Sequence, residues 1–227
     1  MRIQAEKIAR CFFIGIVFVL LLTVVARGIT NSPLGVFEDS GDIGSVLHPG
    51  SASFDAATGQ YTIAGSGQNM WFNKDAFYFV WKKTSGDMTI SADIAFLGQG
   101  SNPHRKGVLM IRQSLQPDSV YADIALHGVG LTSLQYRPAK AANTEEVQAK
   151  ISAPRSLQLE KHGDEFSMLV GDGNGKLEPA GGPIRVPIHG EYYIGIGVCS
   201  HDANIVEKAV FSNVNIRPST PPPQASL

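Results

Sequence analysis

The residue types that carry most enzyme chemistry do not form a recognisable catalytic set in this sequence. No Cys-x-x-Cys, His-Glu-x-x-His or Gly-x-Ser-x-Gly pattern occurs. A retaining glycosidase needs two carboxylates about 5–5.5 Å apart, which on one strand means two acidic residues separated by a single position. No predicted core strand contains such a pair. The sequence therefore predicts no catalytic residues, although carboxylates brought together from different strands would still permit a glycoside-active enzyme.

One segment invites a metal-binding interpretation. Asp172-Gly173-Asn174-Gly175 begins like a calcium-binding loop, but Lys176 stands where a third acidic ligand is needed. Glycine and asparagine are also the residues that a hairpin turn with positive φ requires. We favour the turn, and the sequence predicts no metal site and no cofactor.

The two tryptophans are candidates for a platform on which a sugar ring stacks. Trp81 lies in a run of aromatic and β-branched residues, a context that favours packing in the core. Trp71 follows a Gly-Ser-Gly-Gln-Asn segment at a loop-to-strand junction. This context favours an exposed position, and the sequence leaves open whether the ring is a ligand platform.

Basic residues supply further candidates. Lys106, Met110 and Arg112 fall on one face of a predicted strand, and unpaired charges are costly to bury. We therefore expect this face to be solvated, with or without a ligand. His201 lies at a strand end beside Asp202, as a turn residue or as a site residue.

Short apolar runs separated by turn residues position these candidates. At residues 88–97 the apolar side chains recur at every second position, which is typical of a strand covered on one side. No window has helical periodicity, and the polar stretch 139–150 is a loop or a short edge strand. The predicted strands are 53–55, 61–64, 77–82, 88–97, 106–112, 120–126, 131–137, 156–161, 165–170, 192–199 and 209–216. This series predicts an all-β fold, either a two-sheet antiparallel sandwich or a barrel.

Residues 1–26 have the features of an export segment. Arg2, Lys7 and Arg10 precede an apolar run, and small residues end at Ala26. The run of about 16 residues is short for a membrane-spanning helix of about 20. We expect a signal peptide cleaved after Ala26 or, alternatively, an uncleaved signal anchor. Either places the protein outside the cytoplasm, periplasmic or secreted.

The remaining chain divides simply. We expect a single domain over 33–217 and a disordered proline-rich tail over 218–227, since proline lacks a backbone donor for a sheet.

Residues 1–26 hold three basic residues and one acidic residue, so the remainder carries a net charge of −3. This charge gives no electrostatic case for nucleic-acid binding. Cys199 is the one cysteine after residue 26, and we favour a small buried hydrophobic residue over a free reactive thiol.

A series of motifs resembles a bacterial concanavalin A-like lectin/glucanase-fold family, also labelled "regulation of enolase" or "Tol-type biopolymer transporter". The resemblance covers roughly residues 36–217 and is specific as a set. Its motifs stand at 69–79, 85–90, 106–112, 134–137, 157–166, 194–202 and 209–214. It implies a two-sheet jelly roll related to laminin G-like and legume-lectin sandwiches.

By this resemblance, five residues occupy family-typical positions that we expect to cluster on a concave sheet: Trp71, Lys106, Arg112, Arg137 and His201. The leading hypothesis is a non-catalytic carbohydrate-binding or glycan-binding protein that uses them as its ligand site. The alternative is a protein-interaction or scaffold module of the cell envelope, with a sheet edge or the proline-rich tail as the contact. A glycoside-active enzyme is the third.

Overall fold

The structure, a computed structural model, describes residues 34–219. This part of the chain forms sixteen β-strands, here numbered along the sequence, and contains no helix. Fourteen strands build two antiparallel sheets of seven strands each, and the other two pair only with each other. Over the described range, no helix is long and apolar enough to span a membrane.

The two sheets are named here the front sheet and the back sheet. In spatial order, the front sheet consists of β1 (Asp39–Ile43), β6 (Phe77–Ser85), β15 (Glu191–Cys199), β8 (Lys106–Arg112), β9 (Tyr121–His127), β10 (Thr132–Arg137) and β11 (Glu145–Gln148). The back sheet consists of β14 (Glu178–Arg185), β13 (Glu165–Gly171), β12 (Ser156–His162), β7 (Met88–Leu97), β16 (Asp202–Pro218), β3 (Gln60–Gly67) and β2 (Ser51–Asp55).

The main hydrophobic core lies between these two sheets. In β7, Ile90, Ala92 and Ile94 are buried while the alternating residues are more exposed, which is the period of two that the sequence predicts. From the front sheet, the inward-facing Leu109 and Ile111 of β8 join the same apolar cluster. The alternation therefore decides which face of each strand is covered.

The outer face of the front sheet, turned away from the back sheet, is covered as well. Every residue of β8 and β9 is buried, although successive side chains of a strand point to opposite faces. The outward-facing Val108 and Met110 belong to a second apolar cluster that also contains Met70. Met70 lies in a short hairpin of β4 (Met70–Trp71) and β5 (Lys74–Asp75). We call residues 68–76 the flap.

Backbone contacts hold the flap in place. The backbone N–H of Asp75 donates to the carbonyl of Pro117 at 2.9 Å, and that of Ala76 donates to the carbonyl of Asn69 at 2.8 Å. Gly67 enters the flap with a φ of 124°, and a Cβ atom there would overlap the carbonyl of Ala76. Only glycine fits this conformation without strain, so the approach of the flap depends on it.

Most of the sequence-based expectations for the fold are confirmed. The all-β, two-sheet sandwich is present, and each predicted strand lies within or overlaps an observed one. Trp81 and Cys199 are buried, and Cys199 is a free thiol. The polar stretch 139–150 contains the edge strand β11. The predicted export segment 1–26 and the last eight residues of the predicted tail lie outside the described residues.

Two expectations are wrong. The face of β8 that carries Lys106, Met110 and Arg112 is not solvated, since these residues are 2%, 0% and 0% exposed. The flap covers this face and supplies polar partners, which removes the penalty that the expectation assumed. Pro218, the first residue of the predicted tail, does join a sheet, as the end of β16 opposite Met88. Proline is tolerated there because it is the last residue of the strand.

Candidate functional site

A buried cluster of charged residues lies beneath the flap. Arg137 contacts both carboxylate oxygens of Asp75, with Nη2–Oδ1 at 2.7 Å and Nη1–Oδ2 at 2.9 Å. Arg112 approaches the same carboxylate, with Nη2–Oδ2 at 3.3 Å. All three side chains are fully buried. A planar guanidinium matches a carboxylate in this two-point geometry, so the pair fixes the flap to the sheet.

Arg137 also ties two loops to the flap. Its Nη2 donates to the carbonyl of Phe72 at 3.1 Å, its Nη1 to that of Ser119 at 3.0 Å, and its Nε to that of Ala142 at 3.0 Å. Phe72 has a φ of 50°, unusual for a bulky residue, and its ring is exposed. Its backbone therefore directs a carbonyl toward Arg137 while its ring faces solvent.

The five sequence-predicted site residues separate into two groups. Arg112 and Arg137 belong to the buried cluster and line none of the cavities described below. Trp71, Lys106 and His201 do line one cavity together. The structure thus brings three of the five together at the edge of the flap and places the other two beneath it.

This cavity, of about 390 Å³, opens between the flap, the front sheet and two loops. Trp71 is partly exposed at its side, and Lys106 lies at its floor with Nζ 5.5 Å from the centre of the Trp71 ring. The lining residues are Asn69, Trp71, His104, Lys106, His127, Leu131, Gln135, Glu146, Gln148 and His201. We call it the histidine cavity, because three of the lining residues are histidines.

Strand pairing explains why the three histidines meet. His127 ends β9 directly opposite Lys106 on β8, and Lys106 is opposite Cys199 near the end of β15. His201 follows in the turn after β15, and His104 precedes β8. The ring centre of His104 lies 5.6 Å from that of His127 and 5.5 Å from that of His201.

Asn102 fixes the relative position of the two histidine-bearing loops. Its side-chain Nδ2 donates to the backbone carbonyl of His201 at 3.0 Å, and its Oδ1 accepts from the backbone N–H of His104 at 2.8 Å. His201 has a φ of 58°, in the left-handed region. These backbone contacts leave both imidazole rings directed at the cavity.

Lys106 is buried but well supplied with acceptors. Its Nζ donates to Asn69 Oδ1 and to the carbonyl of Met70, both at 3.2 Å, and to Gln135 Oε1 at 3.4 Å. Two of these acceptors belong to the flap. Burial lowers the pKa of the Lys106 amine, while Asp123 and Asp75 act in the opposite direction. The flap therefore seats a cation against the sheet.

The environment of Lys106 affects the neighbouring histidines. Burial and the Lys106 charge lower the pKa of His127 to about 3, and the same two causes lower the pKa of His201. Both rings are therefore neutral at neutral pH. The Nε2 of His127 lies 3.3 Å from the amide nitrogen of Gln135, and its Nδ1 has no partner within the described residues.

Asp123 is a buried carboxylate with no hydrogen-bond partner for either oxygen among the described residues. It lies in register with Gln135 on β10, which is in turn in register with Glu146 on β11. Burial raises the pKa of Asp123 well above its usual value. Burial thus opposes the ionised form of this acid, whereas the charges of Lys106, Arg137 and Arg112 support it.

The segment beginning at Asp172 is a turn. The side chain of Asp172 accepts from the backbone N–H of Asn174 at 3.1 Å, and that of Asn174 accepts from the backbone N–H of Lys176 at 2.9 Å. Gly173 and Gly175 have positive φ. Within residues 34–219, no group of three or more histidine, cysteine or acidic side chains is arranged to hold a metal ion.

Sequence reasoning did not identify His104, His127, Gln135 or Glu146 as site residues. The strand predictions place His127 one residue beyond a strand and Gln135 within one. Only the spatial order of the strands brings them next to Lys106.

Comparisons with known proteins define the class to which this architecture belongs. The chain matches no protein-family model and no curated protein. It is similar to a functionally unknown protein from Saccharomyces cerevisiae, with a TM-score of 0.57 and 14% identity over 75% of this chain and 92% of that chain. It is also similar to the family 7 alginate lyase A1-II′ in complex with product, with a TM-score of 0.51 and 7% identity over 74% and 83%.

A further similar structure is the carbohydrate-binding module CBM66 from Bacillus subtilis, with a TM-score of 0.47 and 18% identity over 80% of this chain and 97% of that chain. At these identities the likeness concerns the fold. The protein has the concanavalin A-like jelly-roll fold.

Proposed function

We propose that the protein is a non-catalytic carbohydrate-binding protein whose ligand site is the histidine cavity. The observation that carries this proposal is the partly exposed ring of Trp71 beside a cavity lined by amide, imidazole and carboxylate side chains. An aromatic face supplies apolar contact for a sugar ring, and a few fixed polar groups provide specificity for its hydroxyls. The amide groups of Asn69 and Gln148, which are partly or fully exposed, are suited to hydroxyl recognition.

The accessibility of the carboxylates supports a binding role over hydrolysis. A glycosidase needs two carboxyl groups that both reach the sugar. Glu146 is partly exposed at the cavity, but Asp123, in the same row of the sheet, has no exposed surface. Met70 belongs to the second apolar cluster, which covers the outer face of the front sheet. An acid sealed in this way cannot protonate a leaving group without displacement of the flap.

A second candidate function is a protein-interaction or scaffold role in the cell envelope. A groove of about 710 Å³ lies where β11, at the edge of the front sheet, meets β14, at the edge of the back sheet. Edge strands have unpaired backbone groups that a partner strand can use. Val147 and Ile151 are exposed apolar residues in this groove.

We also propose an extracytoplasmic location, on the basis of the export segment 1–26, and membership in the narrower bacterial family that the motif series resembles. Fractionation of cells with an antibody against the full chain tests the location. Recovery of the protein only in the cytoplasmic fraction contradicts it.

The binding proposal is tested with immobilised oligosaccharides and three forms of the full chain. The wild-type protein should bind at least one saccharide, and Trp71→Ala should weaken that binding by about tenfold, which corresponds to about 1.4 kcal/mol. Leu47→Ala is a matched control, because it removes an exposed apolar side chain that does not line the cavity. Binding that is unchanged in Trp71→Ala contradicts the assigned site.

A further inference from the structure

The buried charges around the histidine cavity are unbalanced. Three cations, Lys106, Arg112 and Arg137, lie on the outer face of the front sheet or at its end, each at most 2% exposed. Two carboxylates, Asp75 and Asp123, are buried with them. Asp75 is engaged by both arginines, whereas Asp123 has no hydrogen-bond partner among the described residues. The two buried carboxylates therefore leave one buried cation uncompensated even when both are ionised. The partly exposed Glu146 balances that charge formally, but it lies on the far side of the Gln135 amide, which contacts Lys106 through Oε1 and Glu146 through Nε2, so the cavity has a cationic end at Lys106.

The lining of the cavity adds hydrogen-bond donors at this end. Glu146 is the one carboxylate among its lining residues, and its Oε1 accepts from Gln148 Nε2 at 2.7 Å. Its charge is matched by that of Lys106 at the floor, and the three imidazole rings contribute N–H donors. Besides burial, the charge of Lys106 disfavours protonation of both His127 and His201, so the field of this cation reaches both rings.

A positive potential in a partly enclosed cavity favours an anionic ligand, because charges interact more strongly there than in bulk water. Of the three imidazoles, those of His104 and His201 are accessible at the rim, and each offers an N–H donor. The unpartnered Nδ1 of the buried His127 leaves a further ring donor unsatisfied.

We propose that the saccharide bound in this cavity is acidic, with a carboxylate or sulfate group beside His104 and His201 and above Lys106. The inference rests on the proposed carbohydrate-binding function and adds the chemical class of the ligand. The sugar ring contacts Trp71, and the anionic substituent interacts with the cationic end of the cavity. Neutral saccharides lack the anionic group that Lys106 and the imidazole donors attract.

The test compares ligands that differ only in charge. Titration calorimetry on the full chain at low ionic strength uses a trigalacturonate, its methyl ester, and neutral and sulfated trisaccharides. The uronate or the sulfated sugar should bind at least about tenfold more tightly than its uncharged counterpart, and this ratio should shrink in about 0.5 M salt. Preference for the uronate identifies a carboxylate as the recognised group, and preference for the sulfated sugar identifies sulfate.

Variants locate the effect. His104→Asn and His201→Asn should each reduce the preference for the acidic sugar several-fold; asparagine tolerates the left-handed backbone at His201. His189→Asn removes an exposed histidine at the opposite end of β15 and should leave the preference unchanged. Both rim histidines lie outside the buried core, so these variants should fold, as circular dichroism will check.

Three results overturn the inference in different ways. Equal affinity for the uronate and its methyl ester, or binding of neutral saccharides alone, contradicts the acidic ligand and leaves the carbohydrate-binding function standing. Absence of binding to every saccharide contradicts both. A preference for acidic sugars that persists in both histidine variants contradicts the placement of the anion.

Discussion

The buried carboxylate of Asp75 provides the sharpest test of how the flap is held. Asp75→Asn keeps the size of the side chain and one acceptor oxygen but removes the negative charge. In the native protein this carboxylate is fully buried and receives contacts from two guanidinium groups, at 2.7 and 2.9 Å from Arg137 and at 3.3 Å from Arg112. The variant therefore leaves two buried cations without their counterion.

Removing one partner of a buried ion pair costs about 3–5 kcal/mol, because the remaining charge stays desolvated. Two cations share the carboxylate here, so we expect a loss in the upper half of that range. A domain typically has about 5–15 kcal/mol of unfolding free energy in total. The variant should consequently be strongly destabilised. It should still fold at low temperature if the unfolding free energy of the native protein lies in the upper part of the 5–15 kcal/mol range.

The assay is urea unfolding of the full chain followed by tryptophan fluorescence. Glu191→Gln is a matched carboxylate-to-amide control, since Glu191 pairs with Lys83 at 2.7 Å on the exposed surface, and it should cause no measurable change. Adding Arg137→Met to Asp75→Asn should cost less than the sum of the two single changes. A loss below about 1 kcal/mol for Asp75→Asn, or strict additivity in the double variant, refutes the role assigned to the cluster.

Three further predictions concern other buried or strained residues. Burial raises the pKa of the Cys199 thiol to about 11, so it should not react with a thiol reagent at pH 8 until the chain is unfolded; rapid reaction of the folded protein contradicts this. The pKa of His127 falls from 6.5 to about 3 on folding, so the unfolded chain binds more protons between these values. Unfolding free energy should therefore decrease as the pH drops through this window, less steeply in His127→Gln, and equal slopes contradict the assignment. Phe72→Gly should leave stability unchanged or raise it by about 1 kcal/mol in thermal unfolding, because glycine adopts a positive φ without strain; a clear loss contradicts this.

Much of the fold could be predicted because alternation of apolar residues reports directly on burial. In β7, a strand with one covered face, the period of two is visible in the sequence. β14 was not predicted, since it is an exposed edge strand containing Gly181, Gly182 and Pro183. Residues of this kind are poor strand formers, and only pairing with β13 holds them in the sheet.

The candidate site was only partly predictable for a different reason. The flap consists of two strands of two residues each, too short to show any periodicity. Its carboxylate meets Arg112 and Arg137 across 37 and 62 positions of sequence. From the sequence, a charged residue in a strand is expected to be solvated, and nothing local indicates that a distant aspartate neutralises it. Trp71, Lys106 and His201 were nevertheless identified as neighbours from the motif series, and they do line one cavity.

The two tryptophans make the most direct test of the binding site possible. In the ¹H–¹⁵N spectrum of the full chain, the indole N–H signal of Trp71 reports on the histidine cavity. The indole N–H signal of Trp81 reports on the second apolar cluster. Titration with an oligosaccharide panel should shift the Trp71 signal in a saturable manner and leave the Trp81 signal in place. A saccharide that binds without moving the Trp71 signal, or a panel that moves neither signal, contradicts the assignment of this cavity as a carbohydrate site.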